Sequence, residues 1–300
     1  MHNKKIKLIK SHFEEIAGWK NEIEFNWVVF SEYKIGNPLQ KKIDKTYIYK
    51  TENSSKKLYN PFMKCSDLFL KFAHLAKGFD YSSDNNYKII DNKEVLKWIH
   101  EYGLLEAEGI EIEEISNGQE IYPLRRFYKE IIKAKRLVTL LEQVINKENQ
   151  ILVKRIQFKE SQSKLDVFLD NIYSGISYEA YPINEKNEIS FLKEDYFYIA
   201  LQVIMDNVTD VLSDKITLSY KKIEFDKNEL NPPPYKIYPS NSCKDLLGVM
   251  YLQFYRFLTQ KKPIGFCEYC GNSYELKPTN KKFCTKYCRE NNHYHKTKGD

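Results

Sequence analysis

The chain has 300 residues, of which 42% are apolar and 14% aromatic, enough to bury a hydrophobic core and to exclude an intrinsically disordered protein. Its N-terminus lacks the apolar region of a signal peptide, and no stretch approaches the roughly eighteen apolar residues of a membrane helix. The sequence therefore predicts a cytoplasmic protein with no membrane partner.

The formal net charge is +6. The segment from Thr259 to Asp300 accounts for +5 of this charge, because it contains nine Lys or Arg and four acidic residues. This asymmetry favours a polyanionic partner for the C-terminal segment, although bound zinc thiolates would reduce its charge.

The first hundred residues predict short strands followed by helices. Aromatic and β-branched residues at 26–31 and 45–50 are typical of strands, with a turn at 36–38 between them. Apolar residues recur at helical spacing over 66–76, with Ser66 as the predicted cap. A second helix is predicted from Asp91 to a stop at Gly103.

The middle of the chain predicts alternating strands and longer helices. The alternation at 109–115 indicates a half-buried strand whose glutamates face solvent, with paired catalytic acids as the alternative. Pro123 opens a helix to about residue 147, and 151–158 and 215–225 are predicted strands. Between them, a helix at 194–213 is predicted to bury one apolar face. The residues assigned to that face are Tyr198, Leu201, Ile204 and Val208.

The last part of the body is interrupted by three prolines at 232–234, which predict a stiff turn, with a Pro-rich ligand for a partner domain as the alternative. Ser240 or Ser242 is predicted to cap a helix at 243–259. Because helices and strands intermix without regular βαβ alternation, the sequence predicts an α+β fold. We expect a body at residues 1–260 and a small zinc finger at 261–300.

Four cysteines in the C-terminal segment carry the clearest chemical signal. Cys267 and Cys270 form one close pair, and Cys284 and Cys288 form a second pair thirteen residues later. This spacing predicts one tetrahedral zinc ion held by four thiolates. Four protein ligands leave no position for a water molecule, so the predicted zinc is structural rather than catalytic.

Two histidines near the cysteines could in principle replace a ligand. If 284–296 forms one helix, Cys284 and Cys288 share a face, whereas His293 points away from it. His295 returns to the cysteine face but lies about 10 Å further along the axis, which is too far to share the ion. The sequence therefore predicts a ligand set of four sulfurs.

The same helix geometry predicts a basic face opposite the metal, where a phosphate backbone could be bound. The predicted nucleic-acid-binding residues are Lys282, Lys286, Arg289, His293 and Lys296. Tyr287 and Tyr294 line a neighbouring face and could pack on the body or stack on bases. An ordinary solvated basic face is the alternative.

Three features of the C-terminal segment resemble the bacterial CGNR-type zinc finger, a treble-clef-like module. They are the quartet of cysteines, Phe283 immediately before the third cysteine, and the run of polar and basic residues after the fourth. That module follows an N-terminal α/β domain called ABATE, and the order of elements in this chain is similar. The resemblance implies a DNA-binding transcription regulator, with DNA favoured over RNA. The chain differs from the family at Arg289-Glu290-Asn291, where Gly-Asn-Arg is usual, so it resembles a diverged relative.

Other functions leave weaker traces in the sequence. The chain has no Walker lysine loop, dinucleotide-binding glycine motif, HExxH motif or nucleophile elbow, and we expect no enzymatic activity. Two alternatives stay open: a non-catalytic interaction protein whose finger docks on its own body, a protein partner or a second copy, and a nuclease. Cys65 and Cys243 are predicted to be small buried residues, with an activated thiol as the alternative. His74 and His100 fall within predicted helices and are predicted to be packed or surface residues, with a catalytic role as the alternative.

Overall fold

The computed structural model describes residues 25–38, 46–80, 86–106, 121–161, 164–170, 172–179, 193–223, 236–260, 263–276 and 281–298. Within these ranges, helices and small antiparallel sheets intermix along the chain, which confirms the α+β prediction. The strand predicted at 109–115 and the prolines at 232–234 lie outside the described residues. Among the described helices, none is both long enough and apolar enough to cross a bilayer.

Two small sheets form the first part of the described chain. Strand β1 (Trp27–Phe30) pairs with β4 (Lys56–Tyr59), and β3 (Tyr47–Lys50) lies between β2 (Tyr33–Gly36) and β5 (Ile121–Pro123). Strands β1 and β3 were predicted, whereas β2 and β4 were not. These missed strands have four residues each, and the two lysines that begin β4 hide any apolar alternation.

Short helices follow, and α3 begins and ends where its sequence signals predict. After α1 (Pro61–Lys64), α2 (Leu68–Ala73) and a 3-10 turn (Asn86–Ile89), α3 spans Asn92–Tyr102. The Asp91 carboxylate accepts a hydrogen bond from the Lys93 backbone, which caps the helix. Gly103 ends it with φ 88°, and a Cβ there would lie 2.6 Å from the Val28 carbonyl oxygen. Glycine is therefore required for both conformation and space.

Four helices build the main core: α4 (Leu124–Ile145), α5 (Asn149–Arg155), α6 (Lys193–Lys215) and α7 (Leu246–Thr259). On α6, Ile204 and Val208 are buried as predicted, but Tyr198 and Leu201 are 66% and 40% exposed. The buried face of α6 instead includes Ile199, Ala200 and Val203, because this helix packs against α4, α5 and α7 together.

The prediction of a strand at 151–158 is wrong in its first half. Residues up to Arg155 belong to α5, and only β6 (Ile156–Ser161) is extended. Leu152 and Arg155, three apart, are both buried, which is helical rather than strand spacing. Strands β7 (Lys164–Leu169) and β8 (Ile172–Glu179) complete this antiparallel sheet.

The predicted cap of the last body helix is also wrong. Ser240 and Ser242 lie in β10 (Lys236–Cys243), which pairs with β9 (Ile216–Ile223). Asp245 caps α7 instead, because its Oδ1 accepts a hydrogen bond of 2.8 Å from the Gly248 backbone. The strand predicted at 215–225 is confirmed by β9.

Charged side chains inside the body join elements that are distant in sequence. Glu106 forms ion pairs with Arg126 at 2.7 Å and with Lys215 at 2.6 Å, and Lys215 also pairs with Asp245 at 2.8 Å. This network connects α4, α6 and the start of α7. Buried charges of this kind require partners, since an unpaired charge in the core is costly.

Candidate metal centre

The C-terminal module consists of a hairpin and a helix. Strand β11 (Ile264–Phe266) pairs with β12 (Ser273–Glu275), and the chain between them turns through the first cysteine pair. In this turn the Gly271 N–H donates to the Cys267 carbonyl at 2.9 Å, and Gly271 has φ 70°. The glycine therefore supplies the left-handed conformation that reverses the chain beside the sulfurs.

Helix α8 spans Lys286–Lys298 and begins later than predicted. Cys284 lies in a bend before the helix, and Cys288 lies in its first turn. Thr285 caps this end, because its hydroxyl accepts a hydrogen bond of 3.1 Å from the Cys288 backbone. The prediction that one helix carries both cysteines is wrong for Cys284, although their sulfurs still lie side by side.

The four cysteine sulfurs form one compact group, within 4.8 Å of one another. The Cys270–Cys284 and Cys284–Cys288 sulfur distances are both 3.5 Å, and the Cys270–Cys288 distance is 3.7 Å. A tetrahedron of Zn–S bonds of about 2.3 Å has S···S edges of about 3.8 Å. The group could therefore hold one metal ion with tetrahedral coordination.

The backbone around the first pair favours thiolate at one position. Burial opposes ionisation of Cys267, but backbone hydrogen bonds from Cys270, Cys284 and Tyr269 lower its pKa to about 6. Burial raises the pKa of Cys270 and of Cys284, and hydrogen bonding to Cys288 adds to the increase at Cys284. A divalent cation would offset this cost, because it stabilises every thiolate that it binds.

Neither nearby histidine belongs to the sulfur group among the described residues. His293 lies on the exposed side of α8. The His295 ring stacks on Tyr269, with centroids 6.0 Å apart and an interplanar angle of 23°. His295 therefore contacts the first cysteine turn through its ring face.

The module has a very small apolar core of its own. Cys267, Tyr274 and Cys288 are buried together, with Leu276 and Phe283 packed against them. Phe266 on β11 is half-buried and lies outside this cluster. So little buried apolar surface cannot by itself fold an isolated segment of this size. A metal ion held by the four sulfurs would supply the missing stability.

The module contacts the body through its hairpin. The Ser66 hydroxyl, which does not cap α2, donates to the Glu275 carboxylate. Nε2 of His74 lies 2.8 Å from the Ser273 carbonyl oxygen. Ile264 packs against the core of the body. These residues were not predicted as contacts, because nothing in their local sequence indicates a partner two hundred positions away.

His74 should make this contact sensitive to pH. Burial lowers its pKa from 6.5 to about 4, against the raising effects of the Ser273 carbonyl and Asp67, and Lys135 lowers it further. The unfolded chain thus binds the proton more readily. The contribution of neutral His74 to the free energy of unfolding is therefore complete above about pH 6.5 and is lost as the pH falls toward 4. Between pH 7 and pH 5.5 we expect the wild-type protein to lose about 1 kcal/mol more stability than His74→Gln.

The measurement is urea unfolding of both proteins at the two pH values. Because the four cysteines are the same in both proteins, any effect of pH at the sulfur group cancels in the difference. Equal pH dependence of the two unfolding free energies would show that His74 is not a desolvated, neutral donor.

The predicted basic residues lie at the surface of the module. Lys282, Lys286, Arg289 and His293 are exposed, and the Lys296 backbone continues the same helix. Lys282 forms a surface ion pair with Glu268 at 3.0 Å, and Lys286 forms one with Glu290 at 3.5 Å. Exposed pairs of this kind are weak, so both lysines can exchange a carboxylate for a phosphate at small cost.

The two cysteines outside the quartet are buried and free, as predicted. Burial raises the pKa of Cys65 to about 11 and that of Cys243 to about 12. These shifts argue against the alternative of an activated thiol, since the nucleophilic form is the thiolate.

Comparison of the chain with protein-family models, with curated proteins and with solved structures found no match. The resemblance to the CGNR-type finger therefore stays a prediction. What this module does has to be argued from its own geometry and charge.

Proposed function

We propose that the chain is a nucleic-acid-binding protein whose C-terminal module is held together by one structural zinc ion. The observation that carries the proposal is the separation of metal and charge on α8. Cys288 faces inward to the sulfur group, while Lys286 and Arg289 on either side of it are exposed. Cationic side chains on the outside of a rigid helix can neutralise phosphates without disturbing the metal.

Zinc is the metal that this donor set fits best. Four cysteine sulfurs at nearly tetrahedral spacing are typical of structural zinc sites in small modules. Cys267, Cys270, Cys284 and Cys288 would each supply one thiolate. The bound ion would supply the folding free energy that the small apolar core lacks.

The nucleic acid that we propose is DNA, and the role is that of a transcription regulator, in line with the resemblance to the CGNR-type finger. Tyr287 and Tyr294 are 68% and 52% exposed beside the basic residues. Such rings could add contacts to sugars or bases. Binding through phosphates predicts strong salt dependence, because each neutralised phosphate releases condensed counterions.

We expect Lys286→Glu combined with Arg289→Glu to lower the affinity for a short DNA duplex at least about tenfold at low salt. The slope of log K against log salt should fall in magnitude by about 2, because about 0.9 is lost for each phosphate contact. Fluorescence anisotropy over a salt series measures both quantities. The helix and the zinc content should stay intact, since both side chains are exposed.

The matched control is Lys56→Glu combined with Lys57→Glu, which makes the same charge change at exposed positions of β4. This control should retain the wild-type salt slope. An unchanged slope in the α8 variant, or an equal loss in the β4 control, would refute phosphate binding by α8.

A second candidate function is docking of a protein partner on the same module, favoured by the exposure of Tyr287 and Tyr294. The module already contacts its own body through Ser273 and Glu275, while both tyrosines keep more than half of their surface exposed. Exposed tyrosines near a polar rim are common at protein interfaces. Partner binding that is lost in Tyr287→Ser with Tyr294→Ser, together with DNA affinity unaffected by the α8 charge reversal, would favour this candidate.

A further inference from the structure

The body contains a cavity of about 320 Å³ between α4 and α6, away from the zinc module. The turn between β7 and β8 and the 3-10 turn at Asn86–Ile89 close its ends. Its volume lies in the range of small-ligand sites. The floor is apolar, with Ile132 and Val203 in the centre and Ile172 at the rim.

Three cations line this apolar floor on one side. Lys129, Lys133 and Arg136 follow one another at helical spacing on α4 and line the same side of the cavity. Lys129 is solvent-exposed, and the Lys133 ammonium lies 5.8 Å from the centroid of the Tyr251 ring. Among the described residues, none with a carboxylate lines the cavity or forms an ion pair with these three. Glu130 lies next to Lys133 and offsets at most one of the charges. The cavity therefore combines an apolar body with a positive wall.

Arg136 supplies a second observation. Its Nε is shielded from solvent, yet no described residue accepts a hydrogen bond from it. Guanidinium N–H groups bind carboxylates and phosphates in a fixed geometry, and a buried donor without an acceptor is costly. An anionic ligand in the cavity would remove this cost.

The turn at the end of the cavity is held rigidly. Asp170 in this turn has φ 52° and accepts two hydrogen bonds from Arg155, at 2.8 and 2.6 Å. Both side chains are fully buried, so the Asp170 carboxylate does not neutralise the cations on α4. The neighbouring Leu169 and Ile172 are thereby fixed as the apolar end of the cavity.

The geometry points to a binding site for a small amphipathic anion, in which a carboxylate or phosphate head contacts Arg136 and Lys129 and an apolar body lies on Ile132 and Val203. This site does not depend on nucleic-acid binding by the zinc module. Its ligand class follows from the combination of three cations with an apolar floor.

Isothermal titration calorimetry with octanoate, 1-octanol and octylammonium tests the site on the full-length, zinc-loaded chain. We expect octanoate to bind at least about tenfold more tightly than 1-octanol, because only the carboxylate gains charge-assisted hydrogen bonds. Octylammonium should bind more weakly than 1-octanol. Octyl phosphate in place of octanoate shows which head group the site prefers; binding of either acid supports the proposal.

Lys129→Gln with Arg136→Gln should lower octanoate affinity at least about tenfold and leave 1-octanol affinity unchanged. The matched control, Lys93→Gln with Lys97→Gln, removes the same number of positive charges at exposed positions of α3 and should bind octanoate like the wild type. If the double cavity variant does not fold, Ile172→Glu at the half-exposed rim should lower octanoate affinity in its place. Absence of binding by both acids, equal binding of the acid and the alcohol, or octanoate affinity that neither cavity variant lowers would overturn the proposal.

Discussion

Replacing Cys288 by serine is expected to lower zinc affinity by at least about 100-fold and to unfold the C-terminal module. Loss of a residue that only hydrogen-bonds to a metal ligand costs about 10- to 100-fold in affinity, and loss of a ligand itself should cost more. Cys288 is both a proposed ligand and one of the three residues buried in the module's small core. A serine oxygen is a poor substitute for a thiolate, and the remaining apolar contacts of Tyr274 and Phe283 are too few to compensate. The body should stay folded, because its core is large and separate.

Zinc content together with amide hydrogen exchange over residues 263–298 measures this outcome. Cys65→Ser is the matched control, because Cys65 is a buried free thiol within 3.2 Å of the Asp67 carboxylate and the Lys71 amine. A hydroxyl can keep both contacts, so this variant should retain its zinc and the protection of the module. A Cys288→Ser protein with wild-type zinc content and protection would show that the sulfur group is not the metal site.

Arg155→Met is expected to lower the unfolding free energy of the body by about 3–5 kcal/mol. Arg155 donates to both Asp170 oxygens and to Gln143 at 2.6 Å, and the ion pair has no solvent exposure. Removing the guanidinium leaves a buried carboxylate without its charged partner. Adding Asp170→Asn should recover part of the loss, because asparagine is neutral and tolerates the φ of 52° at this position.

Urea unfolding followed by far-UV circular dichroism gives these free energies. Lys154→Met, at the adjacent exposed position of α5, should change stability by less than about 0.5 kcal/mol. A loss for Arg155→Met no larger than that of this control would mean that the ion pair does not hold the β7–β8 turn.

The sequence was most informative where a local pattern determines local structure. Asp91 and Gly103 mark the ends of α3 because capping and left-handed turns depend on single residues. The cysteine spacing predicted the sulfur group for the same reason, since each pair needs only a short turn. In contrast, α8 begins after Cys284 because the Thr285 hydroxyl competes as a cap, which the spacing of the cysteines does not reveal.

Features that depend on distant partners could not be predicted. Arg155 falls in the stretch 151–158 that was predicted to be a strand, and its helical conformation follows from burial against Asp170 and Gln143. Asp245 rather than Ser242 caps α7 because Lys215, from a different helix, holds its other oxygen. The three cations of the α4 cavity were visible at helical spacing, but their shared environment depends on α6 and the β7–β8 turn.

X-ray absorption at the zinc K edge of the purified, full-length protein tests the central claim most directly. The four-cysteine site predicts one zinc ion per chain with four sulfur neighbours at about 2.3 Å and no nitrogen or oxygen in its coordination shell. A substoichiometric metal content, or a shell containing a histidine nitrogen or a water oxygen, would contradict a closed structural site formed by Cys267, Cys270, Cys284 and Cys288.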